Sequence, residues 1–161
     1  MKKMFALFLA MMMVMSLAAC GGNSAGNGSS APEPENPVNS VVEGTNDAIE
    51  ASGLEWKDIS MAFCASTTGN DTMKVISEAV KGAIEAKGGS CEVFSADGDA
   101  ANQISQVENA VQMGCNVILV MAVENDALAD AVQKAKDAGV LALTLSTDVG
   151  TQDCYMSSGD E

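Results

Sequence analysis

The chain has 161 residues, 47% of them hydrophobic, with 22 acidic residues against eight lysines, no arginine, no histidine and a formal net charge of −14. That length leaves room for about one domain once a leader and a linker are set aside. Without histidine, Ser-His-Asp and Cys-His catalysis are excluded and the commonest transition-metal ligand is missing; the acidity makes nucleic acid a poor partner, because phosphate binding needs clustered cations, and counts against an anionic ligand.

Lys2 and Lys3 form a positive n-region, and Met4 to Ser16 is an almost wholly apolar h-region too short to remain across a bilayer. Residues 1–20 therefore read as a processing segment. Its end, Leu17-Ala18-Ala19-Cys20, resembles the lipobox of bacterial lipoproteins. The resemblance implies that Cys20 is lipidated and becomes the new N-terminus, with two acyl chains giving durable anchoring; the plainer alternative is a secretory signal with a chance cysteine. The location expected is the outer face of the cell membrane, or the periplasm in a diderm bacterium. Residues 21–57 are expected to form a flexible tether: Gly21 to Ser40 is rich in Gly, Ser, Asn and Pro, and Val41 to Lys57, which could hold a short helical turn, is expected to stay mostly irregular, with Trp56 packing at the domain edge.

After Asp58, apolar runs alternate with amphipathic stretches. Strands are expected at Ile59–Cys64, Cys91–Phe94, Val117–Val123 and Val140–Leu145. Between them, Met73, Ile76, Val80, Ala83 and Ile84, then Ile104, Val107 and Val111, then Leu128, Val132 and Ala135 recur at helical spacing. Asp71, Asp99 and Asn125 suit N-caps, and Gly88, Gly114 and Gly139 suit helix stops. The run "VILVMAV" shows no alternation, as a strand buried on both faces should. This predicts an α/β fold: a Rossmann-like open parallel sheet, βαβαβαβ, with helices on both faces and a fifth strand at "CYMSS". Cys64, Cys91, Cys115 and Cys154 each lie in or beside an apolar run, which favours free buried thiols over disulfides.

Ligands of such sheets gather outside the carboxyl ends of the strands, which singles out the loops "STTGND", "SADGDA", "VEND" and "STDVGT". Hydroxyls, amides and carboxylates there suit a polyhydroxylated or amine-bearing ligand. For "SADGDA" the reading favoured is turn and cap chemistry alone. "CASTTGND" lacks both phosphate-binding glycine patterns, and no D-x-D-x-D-G loop is present, so neither a cofactor nor a metal is expected.

From about Asp58 to Glu161, the phrases "GNDTMKVISEAVKGAIEAKG", "SADGDAANQISQVENAVQMGCNVILV" and "DALADAVQKAKDAGVLALTLSTD" are similar to the N-terminal lobe of type I periplasmic sugar-binding proteins of the ribose-binding kind, the solute receptors of ABC importers. Gln103, Ile104, Val107, Glu108 and Gly114 are the most family-specific. The resemblance implies one lobe of a two-lobed clamp, no enzyme activity, and a small polar solute, of which a sugar is the leading kind, handed to an ABC permease. It places ligand contacts at Ser66, Thr67 and Asn70 after the first strand, and at Ser146, Thr147 and Asp148 after the fourth. Two departures stand out. The aromatic pair that commonly follows the asparagine is replaced by Thr72 and Met73 after Asp71, and the usual Asp-Arg pair by Ser146 and Thr147. Residues 58–161 would hold one lobe only, so the sequence is expected to be a piece of a longer receptor. The alternatives are a receptor reporting to a chemoreceptor or sensor kinase, a flavodoxin-like cofactor protein, and a regulator of the lac-repressor type. Missing phosphate-loop glycines oppose the second, and the lack of a basic headpiece opposes the third.

Overall fold

The structure, a computed structural model, describes residues 37–156. The leader, Cys20 and the tether up to residue 36 lie outside the described residues, as do residues 157–161 at the end of the "CYMSS" patch. The elements are α1 (Pro37–Ser52), a short 3-10 turn (Trp56–Asp58), β1 (Ser60–Ala65), α2 (Asp71–Ala86), β2 (Ser90–Ser95), α3 (Ala100–Gln112), β3 (Val117–Val120), α4 (Asn125–Asp137), β4 (Leu141–Leu145) and β5 (Cys154–Met156). The five strands form one sheet in the order β2-β1-β3-β4-β5, and every pairing is parallel. The open parallel sheet, including its fifth strand, is thus as expected.

Side-chain alternation along the strands divides the core in two. Met61, Phe63, Val117, Leu119, Leu143 and Leu145 point to the face covered by α1 and α2. Ala62, Cys64, Ile118, Val120 and Ala142 point to the face covered by α3 and α4. Because β3 has helices on both sides, all four of its residues are buried, and full burial of each large aliphatic side chain is worth about 1.5–3 kcal/mol. Gly88, Gly114 and Gly139 end α2, α3 and α4 with φ of 94°, 84° and 85°, the left-handed conformation that only glycine adopts without steric cost.

Four sequence expectations are corrected. Residues 37–52 are not tether but a helix: Val41, Thr45 and Ile49 recur every four residues and are essentially fully buried, packing beside α2, β4 and β5. The stripe is narrow and interrupted by Gly44, so intrinsic propensity is weak and tertiary packing decides. Gly44 lets the helix approach closely: a Cβ there would stand 3.0 Å from Met156 Sδ, so the Met156 side chain would have to shift by a few tenths of an ångström. Glu50 of α1 pairs with Lys87 at 3.1 Å, and the same ammonium lies 3.9 Å above the Trp56 ring. The second and third corrections concern caps. Asn70, not Asp71, caps α2, and Glu124 precedes α4 without a side-chain cap bond, so Asn125 is already helical. Fourth, β3 stops at Val120 rather than Val123, because the backbone of Met121, Ala122 and Val123 is taken by side chains.

Candidate functional site

The strand order reverses direction at β1. From β1 the chain passes to α2 on one face and pairs β2 at the edge; from β3 it passes to α4 on the other face. A crevice therefore opens between the carboxyl ends of β1 and β3, the position where open α/β sheets hold ligands.

On the β1 side stand Ser66 to Asn70. Ser66 is half-buried; its carbonyl accepts from Gly98 N at 2.9 Å, while its hydroxyl makes no bond among the described residues. Thr67 Oγ1 accepts from Gly69 N at 3.0 Å and keeps its proton to donate. Asn70 Oδ1 accepts from Met73 N at 2.8 Å, which caps the helix and orients the carboxamide so that both Nδ2 protons remain to be donated. One residue thus starts α2 and offers two donors at the rim.

Ser146, Thr147 and Asp148 follow β4, two strand spacings or about 10 Å from β1. Their groups are more committed. Thr147 Oγ1 accepts from Ala122 N at 3.0 Å and donates to Leu145 O at 3.1 Å, tying the ends of β3 and β4 together. Asp148 Oδ1 accepts from Gln152 Nε2 at 2.7 Å and Gly150 N at 2.8 Å, and these bonds, the Gln152 one first, hold its carboxyl below the usual carboxylate range. Ser146 sits at φ 54°, and its backbone N donates to Met156 O.

The loop after β2 braces its neighbours. Thr68 N donates to Ser95 Oγ at 2.9 Å, Ser95 Oγ donates to Asp97 Oδ1, and Asp99 caps α3 by accepting from Ala101 N and Asn102 N. This accords with its reading as turn and cap chemistry.

The feature without an assigned role in the sequence is Gln103, which is fully buried. Its Nε2 donates to Cys64 O at 3.0 Å and to Met121 O at 2.8 Å, and its Oε1 accepts from Val123 N at 2.8 Å. A neutral polar residue inside the buried stripe with Val107 and Ala110 was the available signal.

No lysine or arginine occurs in residues 66–70, 96–99, 121–124 or 146–150, so the crevice walls offer neutral donors and acceptors together with carboxylates. Cys64, Cys91, Cys115 and Cys154 are all free thiols. Burial, and secondarily Cys115 and Cys91, pushes the Cys64 thiol up to about 12, and burial does the same to Cys91. Both are therefore held as thiols at neutral pH rather than as the thiolate that acts as a nucleophile. Among the described residues no group of three or more Cys, Asp or Glu side chains is arranged to hold a metal ion.

Residues 61–161 match the family model described as periplasmic binding protein domain. The chain belongs to this family. Curated relatives include the multiple sugar-binding periplasmic receptor ChvE of Rhizobium radiobacter, 40% identical over 57 residues, which are 35% of this chain and 16% of that protein. An ABC transporter solute-binding protein from Clostridium phytofermentas with bound L-rhamnose is 31% identical with a TM-score of 0.56, over 60% of this chain and 31% of that one. LsrB from Clostridium saccharobutylicum in complex with AI-2 is 29% identical with a TM-score of 0.57, over 60% and 31%. The chain thus spans about a third of the length of these structures. As a periplasmic binding protein lobe it is related to solute-binding proteins, and α1 lies outside the family match.

Proposed function

We propose that the chain captures a sugar or a related small polar solute outside the cytoplasm, for delivery to an ABC permease, and is held to the membrane through lipidated Cys20. The observation that carries this reading is the β1 loop: Ser66 Oγ and the Asn70 carboxamide stand at the strand-order reversal with hydrogen-bonding capacity that the fold does not use. Ser66, Thr67 and Asn70 form the principal ligand contacts. Ser146 adds a hydroxyl from the β4 side, and Thr147 and Asp148 chiefly shape the wall on which it stands. Supporting the solute class are the sugar receptor and the rhamnose-bound protein among the relatives, together with a rim of neutral and acidic groups that suits hydroxyls better than phosphates.

A titration of the 15N-labelled full chain in detergent micelles with L-rhamnose, D-glucose and AI-2 tests the reading. One lobe buries only part of a ligand, so binding on the order of millimolar is expected, with shifts concentrated at residues 66–70 and 146–148. Asn70→Asp retains the cap oxygen but removes both amide donors, and should weaken binding roughly tenfold. Binding whose shifts fall on the opposite edge of the sheet, or indifference to Asn70→Asp, would overturn it. For the anchor, Cys20→Ala should move the protein from the membrane fraction into the soluble fraction; unchanged membrane retention would refute lipidation.

A further inference from the structure

The paired residues of β1 and β3 end at Cys64 and Val120, and one further bond joins Met121 N to Cys64 O at 3.2 Å. Beyond it the two backbones leave for opposite faces, and the Gln103 side chain spans the gap. We propose that Gln103 is the positioning residue of the crevice: its carboxamide sets the separation of the β1 and β3 ends, and thereby where Ser66–Asn70 and Met121–Glu124 stand.

The position demands two donors and one acceptor at the tip of a flexible stem, for Cys64 O, Met121 O and Val123 N. Among side chains of that length only glutamine supplies both. Glutamate has no donor when ionised, lysine and arginine have no acceptor, and methionine has no strong donor or acceptor. The base from which Gln103 reaches is itself fixed. Asp99 caps α3, and Gln103 N donates to Asp99 O at 3.0 Å. The preceding segment is bonded to the β1 side through Ala96 N to Ala65 O at 3.0 Å and Gly98 N to Ser66 O at 2.9 Å. The first turn of α3 is therefore connected by backbone to one wall of the crevice and by the Gln103 amide to both. Losing that amide leaves the part-buried Met121 O and Val123 N without these partners, and Cys64 O with Met121 N alone, so the strand ends must move to resatisfy them.

The functional meaning of this role rests on the crevice being the solute site, but its test needs no ligand, so the two readings fail separately. Amide hydrogen exchange and 15N–1H shifts are compared in the full chain in detergent micelles for the native protein, Gln103→Met and Gln103→Glu. Gln103→Met, close in volume, should speed Val123 exchange roughly tenfold or more and shift residues 66–70, while Ile118, Leu119 and Val120 change less than about threefold. Gln103→Glu keeps the acceptor for Val123 N and should preserve most of its protection, yet still shift Met121 and residues 66–70 because both donors are gone. A role in overall stability alone predicts that Val123 and the β3 amides accelerate by one common factor in both variants; that result, or unmoved shifts at 66–70 in Gln103→Met, overturns the proposal. Should neither variant fold, the native protein decides. A Gln103 side-chain NH2 that exchanges as slowly as the β3 amides supports the role, and one exchanging at the rate of an exposed glutamine refutes it.

Discussion

The loops after β1 and after β4 are built from the same kinds of residue, Ser, Thr, Gly and an Asx, yet they use their polar groups differently. In the β1 loop the Ser66 hydroxyl and the Asn70 amide protons are uncommitted, and the structural duties, closing the turn at Gly69 N and capping α2, fall on the oxygens of Thr67 and of the Asn70 carboxamide. In the β4 loop, Thr147 is engaged as both donor and acceptor and Asp148 closes its own turn. Composition therefore marks where hydrogen bonding is available, but a ligand is met only by what remains after the fold has taken its share. The β1 loop is the side of the crevice with most left to offer.

The contrast is sharpest at Thr147. Thr147→Ala removes the acceptor of Ala122 N, a half-closed position between β3 and β4, and should cost about 1–3 kcal/mol of stability in urea denaturation. Ser66→Ala, which breaks no bond among the described residues, should stay within about 0.5 kcal/mol. Equal losses in the two variants would erase the distinction between the loops. Next in size is Asn70. Asn70→Ala should lose about 1 kcal/mol through the missing cap, whereas Asn70→Asp, itself a good cap, should lose little; a large loss in Asn70→Asp would mean that the amide protons serve the fold after all.

These differences explain which parts of the molecule were legible in the sequence. The strand Val117–Val120 announces itself because burial on two faces leaves no room for polar residues, and α2 to α4 because each carries an apolar stripe that ends at a glycine, with a capping residue before α2 and α3. Helix α1 did not: Val41, Thr45 and Ile49 become a buried row only once α2, β4 and β5 supply the other side. The Asn70 cap was displaced by one residue since Asn70 and Asp71 both suit that role, and only the backbone turn selects between them. The loop positions Ser66 and Asn70 could be named from strand order and resemblance. What could not be read was that Thr147 is spent on Ala122 N, 25 residues away in sequence, or that Gln103 bridges two strand ends. Both depend on partners that only the fold brings near.

Backbone strain separates the loops in the opposite direction. Ser146 is held at φ 54°, where a Cβ crowds the following carbonyl, although Ser146→Gly would relax this at no loss of any side-chain bond among the described residues. Ser146→Gly should therefore raise stability by about 0.5–1 kcal/mol once the added unfolded-state freedom of glycine is subtracted from the strain relieved. If Ser146 supplies a hydroxyl to the ligand, the same variant binds more weakly while melting higher, a pairing that Ser66→Ala lacks on the stability side. Lower stability in Ser146→Gly would show that the left-handed conformation is not a strained one here.

The smallest effect concerns Asp148 and acid. Its carboxyl lies below the ordinary value of 3.8 because it accepts from Gln152 and Gly150 in the folded chain, so the folded state binds its proton less readily than the unfolded state. The stabilisation is accordingly complete above the ordinary carboxylate range and fades as pH falls from about 4 through the lower folded value. As the group is on the surface, the contribution is slight and screened by salt. Asp148→Asn keeps an acceptor for Gly150 N but cannot titrate, so stability curves of the two proteins between pH 5 and pH 3 should converge toward the acid end and converge less in high salt. Parallel curves would show that the Asp148 turn is held by geometry alone, and that the β4 loop owes its shape to Thr147 rather than to its charge.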